Sequence, residues 1–194
     1  MQEMNTGKEN IADAGIADLS NTIRRRRMRL VNYDYRRSGA YFVTICTHDR
    51  ACMFGTVVDG TMALNAAGAL VQEEWRRLPE RFPHIFLDAH VVMPNHMHGI
   101  IVVDTDSRAP TRGAPTLGEI VGAFKSTTTV LYARGVRRAG WLPFVGRLWQ
   151  RSYYEHVIRN EASLGSIREY IVNNPQQWLL DSENPDCQTV PSRL

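Results

Sequence analysis

Two histidines separated by one residue are the best candidates for chemistry in this sequence. His96 and His98 flank Met97 within the apolar segment 91–103. If this segment is a strand, side chains two residues apart point to the same face, so both imidazoles project together. Such a pair could bind one metal ion or one phosphate group. Polar rings in so apolar a strand are costly unless a partner satisfies them, which favours a shared ligand over ordinary hydrogen bonding.

The other histidines leave the kind of metal open. His90 and His84 lie six and twelve residues before His96, so a zinc site that includes either of them remains an alternative. Two imidazoles with one neutral oxygen ligand would instead leave coordination positions for substrate oxygens. That arrangement suits Mg²⁺ or Mn²⁺ acting on a phosphate.

A tyrosine near the C-terminus is the second candidate. Tyr170 and Asn174 are four residues apart in a predicted helix, so they share a face, and Ile167 and Ile171 lie close to it. The phenol could supply a nucleophile and the amide a metal ligand, whereas the alternative is a tyrosine at the edge of the core. Pro175 disfavours helical geometry at Asn174, which predicts that this residue lies at the helix end.

A second pair of residues offers a competing nucleophile. Tyr154 and His156 are two residues apart in a predicted strand, so they share one face and could act as a nucleophile beside a base. The alternative for this pair is a purely structural row of aromatic side chains on an edge strand. We treat the pair as the second choice for the catalytic residues.

Hydrophobic patterns, caps and turn residues predict the elements that position these side chains. In order, they are a strand at 41–47, a hairpin within 53–61, a helix at 64–78, two strands within 84–103, a helix at 116–134, a strand at 148–158 and a helix at 161–174. The order strand, helix, strand, strand, helix, strand is that of the ferredoxin-like split β-α-β fold. The predicted class is therefore α+β, with an antiparallel sheet, helices on one face and a C-terminal helix carrying Tyr170.

Composition limits the class of protein. The chain has 194 residues, of which 43% are hydrophobic and 22% charged, so a folded domain is expected and a wholly disordered chain is excluded. No apolar run approaches the roughly 20 residues needed to cross a bilayer, and the first 20 residues lack the apolar core of a signal peptide. We therefore expect a cytoplasmic protein without a membrane partner. Three widely spaced cysteines argue against a disulfide framework.

Arginine dominates the positive charge. Lys8 and Lys125 are the only lysines among the 23 basic residues. Arginine presents a fork of donors that fits phosphate oxygens, although codon usage in a GC-rich genome could also produce the excess. Clustering points more directly to nucleic acid. The predicted DNA-binding residues are Arg24, Arg25, Arg26, Arg27, Arg29, Arg36, Arg37, Lys125 and Arg151.

Five segments in order resemble the REP-associated tyrosine transposases, a group of single-tyrosine transposases in the HUH superfamily. The matching residues lie within 33–44, 92–98, 123–126, 148–159 and 168–175. Each segment is a weak signal, but five at plausible intervals are specific. The resemblance covers about residues 29–178. It implies a catalytic domain there, preceded by a flexible basic arm at 1–28 and followed by a tail at 179–194.

The resemblance also implies a chemistry and roles for residues. His96 and His98 would be paired metal ligands, Asn174 the third ligand and Tyr170 the nucleophile, with Mg²⁺ or Mn²⁺ as cofactor. The implied activity is a metal-dependent single-stranded DNA endonuclease and strand transferase that forms a 5′-phosphotyrosine intermediate at hairpin-containing DNA. We expect a monomer or homodimer, associated with the nucleoid when bound to DNA. The alternative is a non-catalytic nucleic-acid hairpin-binding module on the same fold.

Overall fold

The computed structural model describes residues 39–104 and 115–185. The predicted basic arm, with its block of arginines and with Arg36 and Arg37, lies outside these residues, and the domain boundaries stay a prediction. Among the described residues, no helix combines the length and the apolar character needed to span a membrane.

A four-stranded antiparallel sheet forms the centre of the molecule. Its strands are β1 (Gly39–Cys46), β4 (Ile85–Val92), β5 (His96–Val103) and β6 (Tyr154–Ile158), in the spatial order β4-β5-β1-β6. The two inner strands are therefore β5 and β1. A separate hairpin pairs β2 (Gly55–Val58) with β3 (Thr61–Leu64).

Helices cover both faces of the sheet. The helices are α1 (Ala66–Arg76), the short α2 (Leu78–Arg81), α3 (Leu117–Ala139) and α4 (Glu161–Asn173). The main hydrophobic core unites one sheet face with α1 and α3, while a smaller cluster joins the other face to α4. This architecture confirms the predicted α+β class: α1 and α3 lie on one face of the antiparallel sheet, and the C-terminal helix α4 is added on the other.

Alternation along the inner strands assigns each side chain to a face. In β1, Tyr41 and Val43 enter the main core, whereas Phe42 belongs to the smaller cluster beside α4. Directly opposite residues share a face, and Thr44 and Cys46 pair with His98 and His96. Both imidazoles therefore lie on the α4 face.

Gly99 allows a close approach behind the histidines. A Cβ atom at this position would lie 2.4 Å from Cζ2 of Trp75, which is fully buried on α1. Because Gly99 directly follows His98 on β5, this contact fixes how α1 packs beneath the strand that carries both imidazoles. A side chain here would push the helix away from the sheet.

Several boundaries differ from the sequence-based prediction. The hairpin extends to Leu64, beyond the predicted 53–61, so the first helix begins at Ala66. Helix α3 continues to Ala139 and ends at Gly140, whose φ of 66° is the left-handed conformation that glycine adopts at helix ends. Pro79 lies within the separate helix α2 instead of ending α1 directly. The last strand begins at Tyr154, because the preceding residues 148–152 make their own contacts with the end of β1 and with Lys125.

Candidate active site

The two histidines form the centre of the site. His96 is fully buried and His98 is 2% exposed, and their Nε2 atoms are 3.1 Å apart. Both lie at the start of the inner strand β5, which is hydrogen-bonded on each side to β4 and β1. As the alternation predicts, the rings project from one face. Burial lowers the pKa of both imidazoles, and the neighbouring His96 also lowers the pKa of His98.

Each imidazole is oriented by a side chain on its other nitrogen. Asn95 Oδ1 accepts a hydrogen bond from His96 Nδ1 at 2.9 Å, since the Asn95 amide nitrogen donates to the backbone carbonyls of Arg50 and Glu183. Thr44 Oγ1 lies 2.8 Å from His98 Nδ1. Asn95 thus keeps the His96 proton on Nδ1, and Thr44 can accept from His98 Nδ1 in the same way. In that pair of tautomers both Nε2 atoms present lone pairs to the same point, as metal-binding imidazoles do.

Tyr170 reaches this point from α4. Its hydroxyl lies 3.3 Å from His98 Nε2, and its ring packs edge-on against Phe42. Ile167 and Ile171, on either side of it along the helix, enter the smaller hydrophobic cluster and fix α4 on the sheet. The pKa of the Tyr170 phenol is raised, first by burial and then by the carboxylates of two nearby residues, Asp181 and Glu183.

Helix α4 is also tied to β4 by an ion pair. The Arg168 guanidinium donates two hydrogen bonds to the carboxylate of Asp88, with a distance of 2.9 Å between Nε and Oδ1. Asp88 lies at the irregularity that shifts the β4–β5 register between Leu87 and His90. The pair therefore links the helix that bears Tyr170 to the strand beside the histidines.

Asn174 lies at the end of α4, where a 3₁₀ helix (Asn174–Leu180) begins. Its side chain is almost completely buried, and its amide nitrogen donates to Asp181 Oδ2 at 3.2 Å. Its Oδ1 atom is buried without a hydrogen-bond partner. Burial lowers the pKa of His96 and raises that of Tyr170, and the Asn174 side chain lies close enough to both groups to offset part of each shift.

Asp181 is a site residue that sequence reasoning missed. Its Oδ2 atom lies 3.8 Å from His96 Nε2. A ring nitrogen of His96, a ring nitrogen of His98 and a carboxylate oxygen of Asp181 all lie within 4.8 Å of one another. Asp181 falls in the segment predicted as a tail, where no periodicity marks it. Glu183, from the same segment, is buried and pairs with Arg50.

These donors fit a divalent metal ion. Two nitrogens bound to one ion at about 2.1 Å stand about 3 Å apart when the angle between the bonds is near 90°, which matches the separation of the Nε2 atoms. An anionic carboxylate and an amide oxygen lacking a hydrogen-bond partner complete a set of nitrogen and oxygen ligands. In the described part of the chain, His96, His98 and Asp181 thus form a possible metal-binding group.

The other candidate residues lie away from this group. Tyr154 and His156 do share the α4 face, but β1 lies between their strand and β5, so Phe42 and Thr44 stand between them and His98. Burial raises the pKa of Tyr154. Burial and then Arg159 lower the pKa of His156.

The histidines of the zinc alternative do not join His96 and His98 either. His90 pairs with Gly99 and its ring lies near Trp75, on the opposite face of the sheet. His84 immediately precedes the first residue of β4, Ile85, which pairs with Val103 at the far end of β5.

The two predicted DNA-binding residues within the described chain differ in environment. Lys125 Nζ donates to the backbone carbonyls of Gln150, Arg151 and Ser152, and burial lowers its pKa to about 8. Its donors therefore hold the 150–152 segment in place. Arg151 is exposed on that segment.

Comparison with known proteins shows a sequence relative and a solved structure of similar fold. No protein-family model matches the sequence. An uncharacterized protein of Haemophilus influenzae is 37% identical over 171 residues, which cover 81% of this chain and 91% of the relative. The solved structure of a REP-associated tyrosine transposase bound to a REP hairpin is similar in fold, with a TM-score of 0.51 and 20% identity. The match covers 77% of this chain and 74% of that one.

Proposed function

Because the chain belongs to the same family as the Haemophilus influenzae protein and has the fold of a REP-associated tyrosine transposase, we propose that it is a transposase-like enzyme acting on DNA. Its reaction is the metal-dependent cleavage and rejoining of single-stranded DNA beside a hairpin. One observation carries the proposal: the Tyr170 hydroxyl lies 3.3 Å from His98 Nε2, which itself lies 3.1 Å from His96 Nε2. A phenol and a metal-binding pair thus meet at one point.

The ligands of the ion are proposed from the same geometry. His96 and His98 supply nitrogen ligands, and Asp181 and Asn174 supply oxygen ligands, with Mg²⁺ or Mn²⁺ as the ion. When bound, the ion supplies Lewis acidity toward a non-bridging oxygen of the scissile phosphate. Asn95 and Thr44 hold the two imidazoles in the orientation that this requires.

Tyr170 is the proposed nucleophile. Its phenol oxygen forms a bond to phosphorus as the bond to the 3′ oxygen breaks. The phenol loses its proton, and the leaving oxygen takes one up. The products are a 5′-phosphotyrosine and a free 3′-hydroxyl. A DNA 3′-hydroxyl later reverses the step, so the phosphodiester energy is conserved. The edge-on contact of the Tyr170 ring with Phe42 helps to hold the phenol beside His98.

The test is the capture of the covalent adduct. Single-stranded oligonucleotides labelled at the 3′ end, drawn from hairpin-forming repeats beside the gene, are incubated with protein and Mn²⁺ and resolved on a denaturing gel. We expect a protein-linked band with the wild type and with Tyr154→Phe, and none with Tyr170→Phe or without the ion.

Two outcomes would contradict the proposal. An adduct that survives Tyr170→Phe would reject this tyrosine as the nucleophile. Hairpin binding without an adduct under any metal condition would favour the non-catalytic hairpin-binding module.

A further inference from the structure

An open pocket lies beside the site and takes no part in the chemistry above. Its volume is about 590 Å³, and it is lined by His48, Asp49, Arg50, Arg147, Gln150 and Arg151. The lining holds three arginines against a single carboxylate. Asp49 is 85% exposed and contacts His48 at 2.7 Å. Because Arg50 is paired with Glu183, the bias of the pocket toward an anionic ligand comes from Arg147 and Arg151.

Two segments far apart in sequence build this pocket. Residues 46–48 pair with 148–150: Gln150 N donates to the Cys46 carbonyl, His48 N donates to the Leu148 carbonyl, and Thr47 forms a bridge with Trp149. This pairing brings the arginines of both segments to one opening.

The side of the pocket formed by residues 147–151 is anchored in the core. Trp149 is buried against Phe54 and Phe124, and its indole nitrogen donates to Thr128. Lys125 holds the carbonyls of the next residues. Arg147 and Arg151 thus project from a backbone segment that Trp149 and Lys125 hold in place.

A short chain of contacts joins the pocket to the histidines. The Arg50 guanidinium binds Glu183 at 2.7 Å, the Glu183 carbonyl accepts from Asn95, and Asn95 orients His96. Asp49 and Arg50 both have a φ of 54°, a left-handed conformation that aspartate tolerates but that is unfavourable for arginine. Strain of this kind is concentrated at functional sites.

We infer that this pocket binds the phosphodiester backbone of the single strand that continues from the scissile phosphate. This inference rests on the proposed function, because it places a strand across His96 and His98. Arg147 and Arg151 are the anion contacts. This binding is independent of base sequence, because the guanidinium groups contact the phosphates and not the bases.

Binding measurements on the Tyr170→Phe protein test this inference without relying on cleavage. Fluorescence anisotropy follows a labelled single-stranded oligonucleotide across a salt series, for the parent and for Arg147→Gln/Arg151→Gln. We expect affinity to fall on the order of tenfold for the two lost surface contacts. The slope of log affinity against log salt should decrease by about 1.4, which is about 0.7 for each contact on a single strand.

Two further variants control for charge and folding. Arg76→Gln/Arg138→Gln removes the same charge from exposed positions on α1 and α3 that do not line the pocket, and should leave the slope unchanged. Arg147→Lys/Arg151→Lys keeps the charge and should retain most of the affinity. Equal losses in the pocket and control variants would overturn the inference, and so would tighter binding of a blunt duplex than of the single strand.

The outcomes separate this inference from the proposed function. If Arg147→Gln/Arg151→Gln alters the salt slope but the wild-type protein forms no adduct, the pocket stays a backbone-binding site while the proposed reaction fails. An adduct with an unchanged salt slope would keep the reaction and reject the pocket.

Discussion

At the scale of single residues, the orientation of the imidazoles depends on Asn95. This side chain is fully buried and makes three hydrogen bonds. Its nitrogen donates to the carbonyls of Arg50, after β1, and Glu183, after the 3₁₀ helix, and its oxygen accepts from His96. Because its nitrogen is fixed by two carbonyls, its oxygen must face His96. The direction of the His96 lone pair is therefore determined before any ligand binds.

Replacing Asn95 should weaken metal binding. Asn95→Ala frees His96 to rotate and to exchange tautomers, so we expect affinity for Mn²⁺, measured by titration calorimetry, to fall by about 10- to 100-fold. Asn65→Ala is the control, since it removes the cap of α1 and should cost about 1 kcal/mol of stability without changing the affinity. Equal affinity in Asn95→Ala and the parent would show that the strand alone orients the ring.

The oxygen ligands can be distinguished by a matched pair of variants. Asp181→Asn removes a negative charge 3.8 Å from His96 Nε2, and Asn174→Ala removes the buried oxygen that lacks a hydrogen-bond partner. We expect both to weaken Mn²⁺ binding and Asp181→Asn to weaken it more, because the cation loses a formal charge partner. Glu73→Gln, which removes a negative charge from an exposed position on α1 on the other face of the sheet, should leave the affinity unchanged. A normal affinity in Asp181→Asn would leave Asn174 as the oxygen ligand.

The sequence could indicate some of these residues and not others. Spacing alone predicts that residues two apart on a strand, or four apart on a helix, share a face. The sequence therefore indicates His96 with His98 and Tyr170 with Asn174 as candidate site residues. Asp181 and Asn95 could not be found in this way, because their roles depend on how distant segments pack. Asn95 lies beside His96 in the chain, yet no local pattern shows that its side chain contacts the residues near 50 and 183.

At the scale of elements, the contact between β5 and α1 sets the position of the histidines. Gly99→Ala would place a Cβ atom 2.4 Å from the Trp75 ring, so we expect a loss of about 1–3 kcal/mol in the free energy of unfolding, measured by urea denaturation. Gly165→Ala on α4 meets nothing within 4 Å and should instead stabilise by about 0.5–1 kcal/mol. If both variants were stabilised, Trp75 would have room to move.

The elements themselves were largely predictable because hydrophobic periodicity and caps are local signals. Asn65 and Thr116 do cap the first and third helices, with a full capping box at Thr116 and Glu119. Loose alternation along 148–158 predicts one strand, but its first part, 148–153, does not join the sheet. Its actual course is set by the Trp149 indole in the core and by Lys125, and neither contact has a local pattern.

At the scale of the whole molecule, the two faces of the sheet are unequally packed. Helices α1 and α3 share the large core, whereas α4 rests on a small cluster of Phe42, Ile100, Ile158 and its own isoleucines. Local opening follows the amount of buried apolar contact. The helix that carries Tyr170 is therefore expected to be the less stable side of the protein.

Hydrogen exchange measures this difference. We expect amides of α4 to exchange faster than those in the middle of α3 under native conditions, and saturating Mn²⁺ to slow the exchange of α4 selectively, since Asn174 lies at its end. Equal protection of the two helices in the absence of metal would show that the Asp88–Arg168 pair compensates for the smaller cluster.

The inner-strand location of the histidines has a practical consequence for handling the protein. Strand β5 is paired on both sides, and Asn95 and Thr44 hold the two imidazoles. We therefore expect the fold around the histidines to persist without a bound ion. Chelation followed by dialysis against a different divalent ion should therefore exchange the cation while the fold persists. One preparation could then be compared across a series of ions, with circular dichroism as the check on its integrity.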